Sequence, residues 1–131
     1  MLVRTIAGFM VAAGVAVGCG GGGGAGISPR AACEDMWANF CERVYACYTD
    51  AEVADAGLPS TEAACVTMIQ ANRGCAAQTV ENTCEGNARY HADQADICVD
   101  QISGLSCSQV RDDSVDLFVV APACGKMCAI D

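Results

Sequence analysis

The sequence predicts an all-α fold: a small array of about three helices, stapled by disulfides and ending in an irregular C-terminal segment. Three observations lead there. Apolar residues recur at helical spacing in three stretches, whereas only one run, Val115 to Val120, has β-like character. Eleven cysteines stand in 131 residues, ten of them after Cys19, a density typical of exported disulfide scaffolds. The part able to fold is little more than about 100 residues, the size of one domain.

The chain opens with MLVRTIAGFMVAAGVAV. Arg4 supplies a short positive region, and Ile6 to Val17 is an unbroken run of apolar or small residues. That run is shorter than the roughly 20 residues a bilayer span needs, and it suits the core of a signal peptide. It ends in Ala16-Val17-Gly18-Cys19, which resembles the lipobox of bacterial lipoproteins, although leucine is commonest where Ala16 stands. The resemblance implies cleavage before Cys19, diacylation of its sulfur and, often, acylation of the new amino group. An ordinary signal peptide cut nearby is the competing reading, and it leaves Cys19 as an odd thiol in an oxidising space. The resulting division is 1–18 signal peptide, 19–29 lipidated cysteine and Gly-rich tether, and 30–131 Cys-rich helical domain. A tether of this composition reaches about 17 Å, and two or three acyl chains hold where one does not. Gly20 replaces the aspartate associated with inner-membrane retention, so the resemblance favours the outer membrane if the host has two.

Along the domain, Ser28-Pro29 reads as a helix cap with proline at the first helical position. Cys33, Trp37, Phe40, Val44 and Cys47 then form one apolar stripe, predicting a helix over Ala31 to Tyr48. Thr49 to Pro59 reads as a loop broken by Gly57 and Pro59. Ser60 or Thr61 caps a second helix, on which Cys65, Met68, Ile69 and Cys75 share a face, with Gly74 as its stop. Gln78 to Gly86 is ambiguous. A third helix is predicted from Asn87 or Ala88 to Ser103, with His91, Ala95, Cys98, Ile102 and Leu105 facing inward and Gly104 ending it. Ser106 to Asp113 holds one or two further turns. Val115 to Val120 has no strand to pair with, so it is expected as a buried extended segment.

An even ten cysteines, Cys33, Cys41, Cys47, Cys65, Cys75, Cys84, Cys98, Cys107, Cys124 and Cys128, fit five bridges with no free thiol. Bonded cysteines need Cα atoms about 4.4–6.8 Å apart, whereas eight helical residues span about 12 Å. Cys33, Cys41 and Cys47 therefore cannot pair with one another in a continuous helix, nor can Cys65 with Cys75. If the first two helices form an antiparallel hairpin, Cys47 meets Cys65 across about 17 intervening residues. The competing pairing joins Cys47 to Cys98. Structural zinc usually takes two short-spaced ligand pairs, and only Cys124 and Cys128 are close, with three residues between them. That spacing also departs from the two-residue gap of redox pairs, so they read as halves of separate bridges.

No catalytic constellation emerges, and the chain is not expected to be an enzyme or to carry a cofactor or metal. His91 is the only histidine, and it reads as packed beside Cys98 or at the rim of that face. Asp93, Asp96 and Asp100 line one side of the third helix and read as a solvated face, since calcium sites draw on turning loops and backbone carbonyls. Asp112, Asp113 and Asp116 match no cation-binding motif. The net charge is −9, and loss of residues 1–18 leaves six basic against sixteen acidic residues, or −10. Such a surface repels phosphate backbones, so nucleic acid is not an expected partner. The mature chain resembles small Cys-rich envelope lipoproteins, which implies a location rather than an activity. Two functions remain: an interaction or structural module at the cell envelope, with an unidentified envelope or extracellular protein as partner, or a small-ligand or cation binder.

Overall fold

The computed structural model describes residues 26–130. The segment expected as a signal peptide, Cys19 and most of the expected tether lie outside the described residues. The first helix, α1 (Pro29–Cys47), starts where Ser28 Oγ accepts from the Ala31 N–H and Pro29 supplies the restricted φ of a first turn. The chain is already docked just before it. Gly26, at φ +141°, passes so close to α4 (Ala92–Ser103) that a Cβ would lie 2.2 Å from the Ala92 carbonyl carbon. The Tyr90 hydroxyl donates to the Ile27 carbonyl at 2.9 Å. Residues 26–29, read from the sequence as the end of the tether, therefore lie on the domain.

α1 is the hub. It packs against α3 (Glu62–Asn72), α4 and the short α5 (Cys107–Val110). Its buried residues Ala32, Cys33, Cys41, Val44 and Cys47 face these neighbours. Side chains on it exchange hydrogen bonds with distant backbone: Asn39 Nδ2 donates to the Val99 carbonyl at 3.2 Å, and the Glu34 carbonyl accepts from Gln70 Nε2 at 2.8 Å. These bonds satisfy groups that packing removes from water. Thr61 caps α3, and Gly74, at φ +65°, follows its end in the left-handed conformation that glycine adopts without steric cost. On α4, Ala95, Cys98 and Ile102 are buried, as the period predicts, with Gly104 as the C-cap.

Six helices are present among the described residues, three of them short. The loop expected over Thr49 to Pro59 contains α2 (Asp50–Asp55) instead. Its start is a reciprocal cap in which Thr49 Oγ1 accepts from the Glu52 N–H and Glu52 Oε2 accepts from the Thr49 N–H at 2.8 Å. The helix expected from Asn87 or Ala88 begins at Ala92. The preceding Arg89–Tyr90 is β1, paired antiparallel with Cys128–Ala129 as β2. The buried extended segment expected over Val115 to Val120 is wrong in both respects. Asp116 Oδ1 accepts from the Phe118 N–H at 2.8 Å and starts α6 (Leu117–Val120), in which Leu117, Phe118 and Val119 are 40%, 60% and 74% exposed.

All ten cysteines after Cys19 are paired: Cys33–Cys75, Cys41–Cys65, Cys47–Cys107, Cys84–Cys128 and Cys98–Cys124, with Cα separations of 4.7–6.1 Å. No bridge joins two cysteines of one helix. Cys124 and Cys128 belong to separate bridges. The Cys47–Cys65 pairing is overturned, as is its Cys47–Cys98 competitor. The hydroxyl of Tyr45 donates to the Pro59 carbonyl, so the returning chain is beside Tyr45 before α3 begins. Six residues further on, Cys65 has moved along α1 to Cys41, about 9 Å from Cys47 at helical rise. The end of α1 instead meets α5, where Tyr48 Oη donates to the Val110 carbonyl at 3.0 Å and Arg111 Nη1 donates to the Cys47 carbonyl at 2.6 Å.

Candidate functional site

The packed core is small. Cys98, Ile102, Leu105, Ala121 and Ala123 form one buried cluster under α4 and the C-terminal segment. Beside it lies an open groove of about 720 Å3, within the 300–1,000 Å3 range common for small-molecule sites. One wall is α1, through Met36, Trp37 and Phe40. The end of α3 contributes Ile69, Asn72 and Arg73. Leu117 and Phe118 of α6 and Met127 form the far side, and Ile102 reaches its floor. The Cys98–Cys124 bridge fixes the C-terminal segment against α4, and Ala123 N–H donates to Gln101 Oε1 at 3.0 Å beside it.

Trp37 and Phe40 meet edge to face, with ring centroids 5.6 Å apart. The Arg73 guanidinium lies 4.8 Å from the Trp37 ring centroid, a cation–π contact that holds an exposed cation at the groove. A second depression, of about 500 Å3, continues past Trp37, Phe118 and Met127 to Gln78 and Thr83. The groove therefore changes in character along its length. It is apolar toward Phe40, Ile69 and Ile102 and more polar toward Gln78 and Thr83, with Arg73 at the junction.

Cys19 lies outside the described residues. His91 is half-buried and precedes the first turn of α4, with its backbone N–H bonded to the Met127 carbonyl at 2.9 Å. Asp93, Asp96 and Asp100 are exposed. A hydrogen bond from the Gln94 amide holds the Asp93 carboxyl below its usual range, with the nearby His91 a lesser cause. Asp112 is lowered by the hydroxyl and N–H of Ser114, at 2.6 and 2.9 Å, and Asp116 is engaged in capping α6. No group of three or more His, Cys, Asp or Glu gathers in metal-binding geometry among the described residues. Asp93, Asp96 and Asp100 thus lie exposed along α4, while Asp112 and Asp116 are used in a turn and a helix cap.

Among the described residues, Tyr90 is the one group pushed far from its ordinary value, up to about 12, first by burial and then by the negative charge of Asp96. The raised value belongs to the neutral phenol. Its stabilising effect is therefore present below the unfolded value of about 10 and is lost as pH rises through about 12. Spectrophotometric titration is expected to show one tyrosine ionising near 12 in the folded protein and near 10 after reduction and unfolding. A folded titration with every tyrosine near 10 contradicts the packing of Tyr90 against Ile27.

The groove was missed by sequence reasoning. Trp37 and Phe40 lie on the predicted stripe of α1, but they are half-buried groove residues rather than core. The available signal was Val115 to Val120, an apolar run with neither a pairing partner nor an amphipathic period. No known protein family, no characterised protein sequence and no solved structure matches this chain.

Proposed function

We propose that this chain is a lipoprotein of the cell envelope, anchored by acyl chains on Cys19 (in the outer membrane if the host has two), and that its helical domain is an interaction module rather than an enzyme. The observation that carries the module reading is the open apolar groove flanked by exposed Leu117, Phe118 and Val119. Exposed apolar surface of this kind beside a concave site marks places where proteins or ligands bind. The compartment is supported by the five bridges, a density characteristic of oxidising, extracytoplasmic spaces. The lipobox-like Ala16-Val17-Gly18-Cys19 supports the anchor.

Replacing Cys19 by serine is expected to move the protein from the membrane fraction to the soluble fraction, because the anchor requires more than one acyl chain. A Cys19→Ser protein that still pellets with membranes, beside a wild type that carries no lipid, contradicts the assignment. A second reading, a small-ligand-binding lipoprotein, is favoured by the concavity of the same groove and the cation at its junction. Crosslinking in native envelopes separates the two. A defined protein adduct at α6 favours the interaction module, and an extractable small molecule with no adduct favours the ligand binder.

A further inference from the structure

We propose that the groove binds single-chain amphiphiles bearing a carboxylate. The apolar chain lies along Phe40, Ile69 and Ile102, and the carboxylate meets the guanidinium of Arg73. This rests on the ligand-binding reading above and names the ligand class.

Two features of the groove select that chemistry. The first is its polarity gradient, apolar at one end and lined by Gln78 and Thr83 at the other, which matches a molecule with a tail and a head. The second is charge complementarity. In a chain of net charge −9, anions are generally repelled, so a cation at a groove is a local exception. Arg30 pairs with Glu34, Arg111 pairs with Glu52, and Arg43 lies against the sulfurs of Cys47 and Cys107. Arg73 instead rests on the face of Trp37 and forms no ion pair among the described residues. No hydrogen bond or ion pair to another described residue occupies the Arg73 N–H donors, and a guanidinium can meet a carboxylate bidentately. The thioethers of Met36 and Met127 on opposite walls can adapt to a flexible chain.

The single tryptophan of the chain is Trp37, so its emission reports on the groove alone. The full protein is reconstituted in phosphatidylcholine vesicles, which carry no net charge and no tryptophan, and titrated at pH 7 with octanoate or octanol. Octanoate is expected to shift the emission saturably, and octanol to bind about tenfold more weakly, the usual scale of one hydrogen bond to a charged group. Arg73→Gln, at an exposed position, is expected to weaken octanoate about tenfold and leave octanol unchanged. Leu117→Asp, at the apolar end, is expected to weaken both. Equal affinities for the two ligands, or full octanoate affinity in Arg73→Gln, overturn the proposal. If neither ligand moves the emission while an extractable small molecule is still recovered with the protein from native envelopes, the carboxylate class is wrong and the ligand-binding reading stands.

Discussion

Replacing Cys98 and Cys124 together by alanine is expected to destabilise the domain by about 3.5 kcal/mol through chain entropy, with a further ~1 kcal/mol from lost burial. The bridge spans 26 residues, which sets the entropic part. Cys98 is fully buried within the only core cluster found among the described residues, which sets the other part. The same bridge holds the C-terminal segment against α4, so the loss is expected to open the groove as well as weaken the fold. Chemical denaturation with the other four bridges intact measures the first effect, and the emission of Trp37 reports the second. A double variant within about 1 kcal/mol of wild type, with unchanged Trp37 emission, contradicts this role.

Ile102→Ala is expected to cost about 2–5 kcal/mol, the range for truncating a buried isoleucine in a core that cannot collapse. Ile102 is 2% exposed and packs among Cys98, Leu105, Ala121 and Ala123. The cost falls heavily here because two of those neighbours are alanines, and the cluster has few large side chains with which to refill the space. Val119→Ala serves as the contrast. At 74% exposed it should change stability by no more than about 0.5 kcal/mol. Equal effects of the two substitutions under the same denaturant would show that the core does not sit beneath α4.

The contrast between Ile102 and Val119 also shows which parts of the fold were legible in the sequence. The α4 face was, because Ala95, Cys98 and Ile102 repeat at the helical period and are buried as the period requires. The start of α1 was legible from Ser28 and Pro29. Val119 belongs to α6, a single turn too short to show any period, so its β-branched composition pointed the wrong way. The start of α4 was misplaced because Arg89–Tyr90 pairs with Cys128–Ala129, a partner far along the chain that no local pattern reveals. α2 was readable in principle, since Thr49 and Glu52 have the spacing of a reciprocal cap, and so do Ser106 and Gln109 at α5.

Disulfide geometry was legible as a set of exclusions and not as a pairing. Helical rise forbids bridges within α1, and none occurs there. Choosing Cys65 for Cys47 required the turn between the helices to be simple, and α2 together with the contact of Tyr45 to Pro59 makes it otherwise. The groove was the least legible feature. Trp37 and Phe40 could be placed on one face of α1, but their exposure depends on how α6 and Met127 sit opposite. That position is set by Cys98–Cys124 and by the hydrogen bond from His91 N–H to the Met127 carbonyl.

The proposed lipoprotein begins at Cys19, carries lipid there, and has all ten remaining cysteines bridged. The most direct measurement is the intact mass of the protein extracted from membranes without reductant, after exposure to an alkylating reagent. The predicted mass is that of residues 19–131 plus a diacylglyceryl group, with or without an N-linked acyl chain, less the ten hydrogens of five bridges, and with no alkyl adduct. A chain that starts at another residue and lacks lipid, or one that takes up two or more alkyl groups, contradicts it.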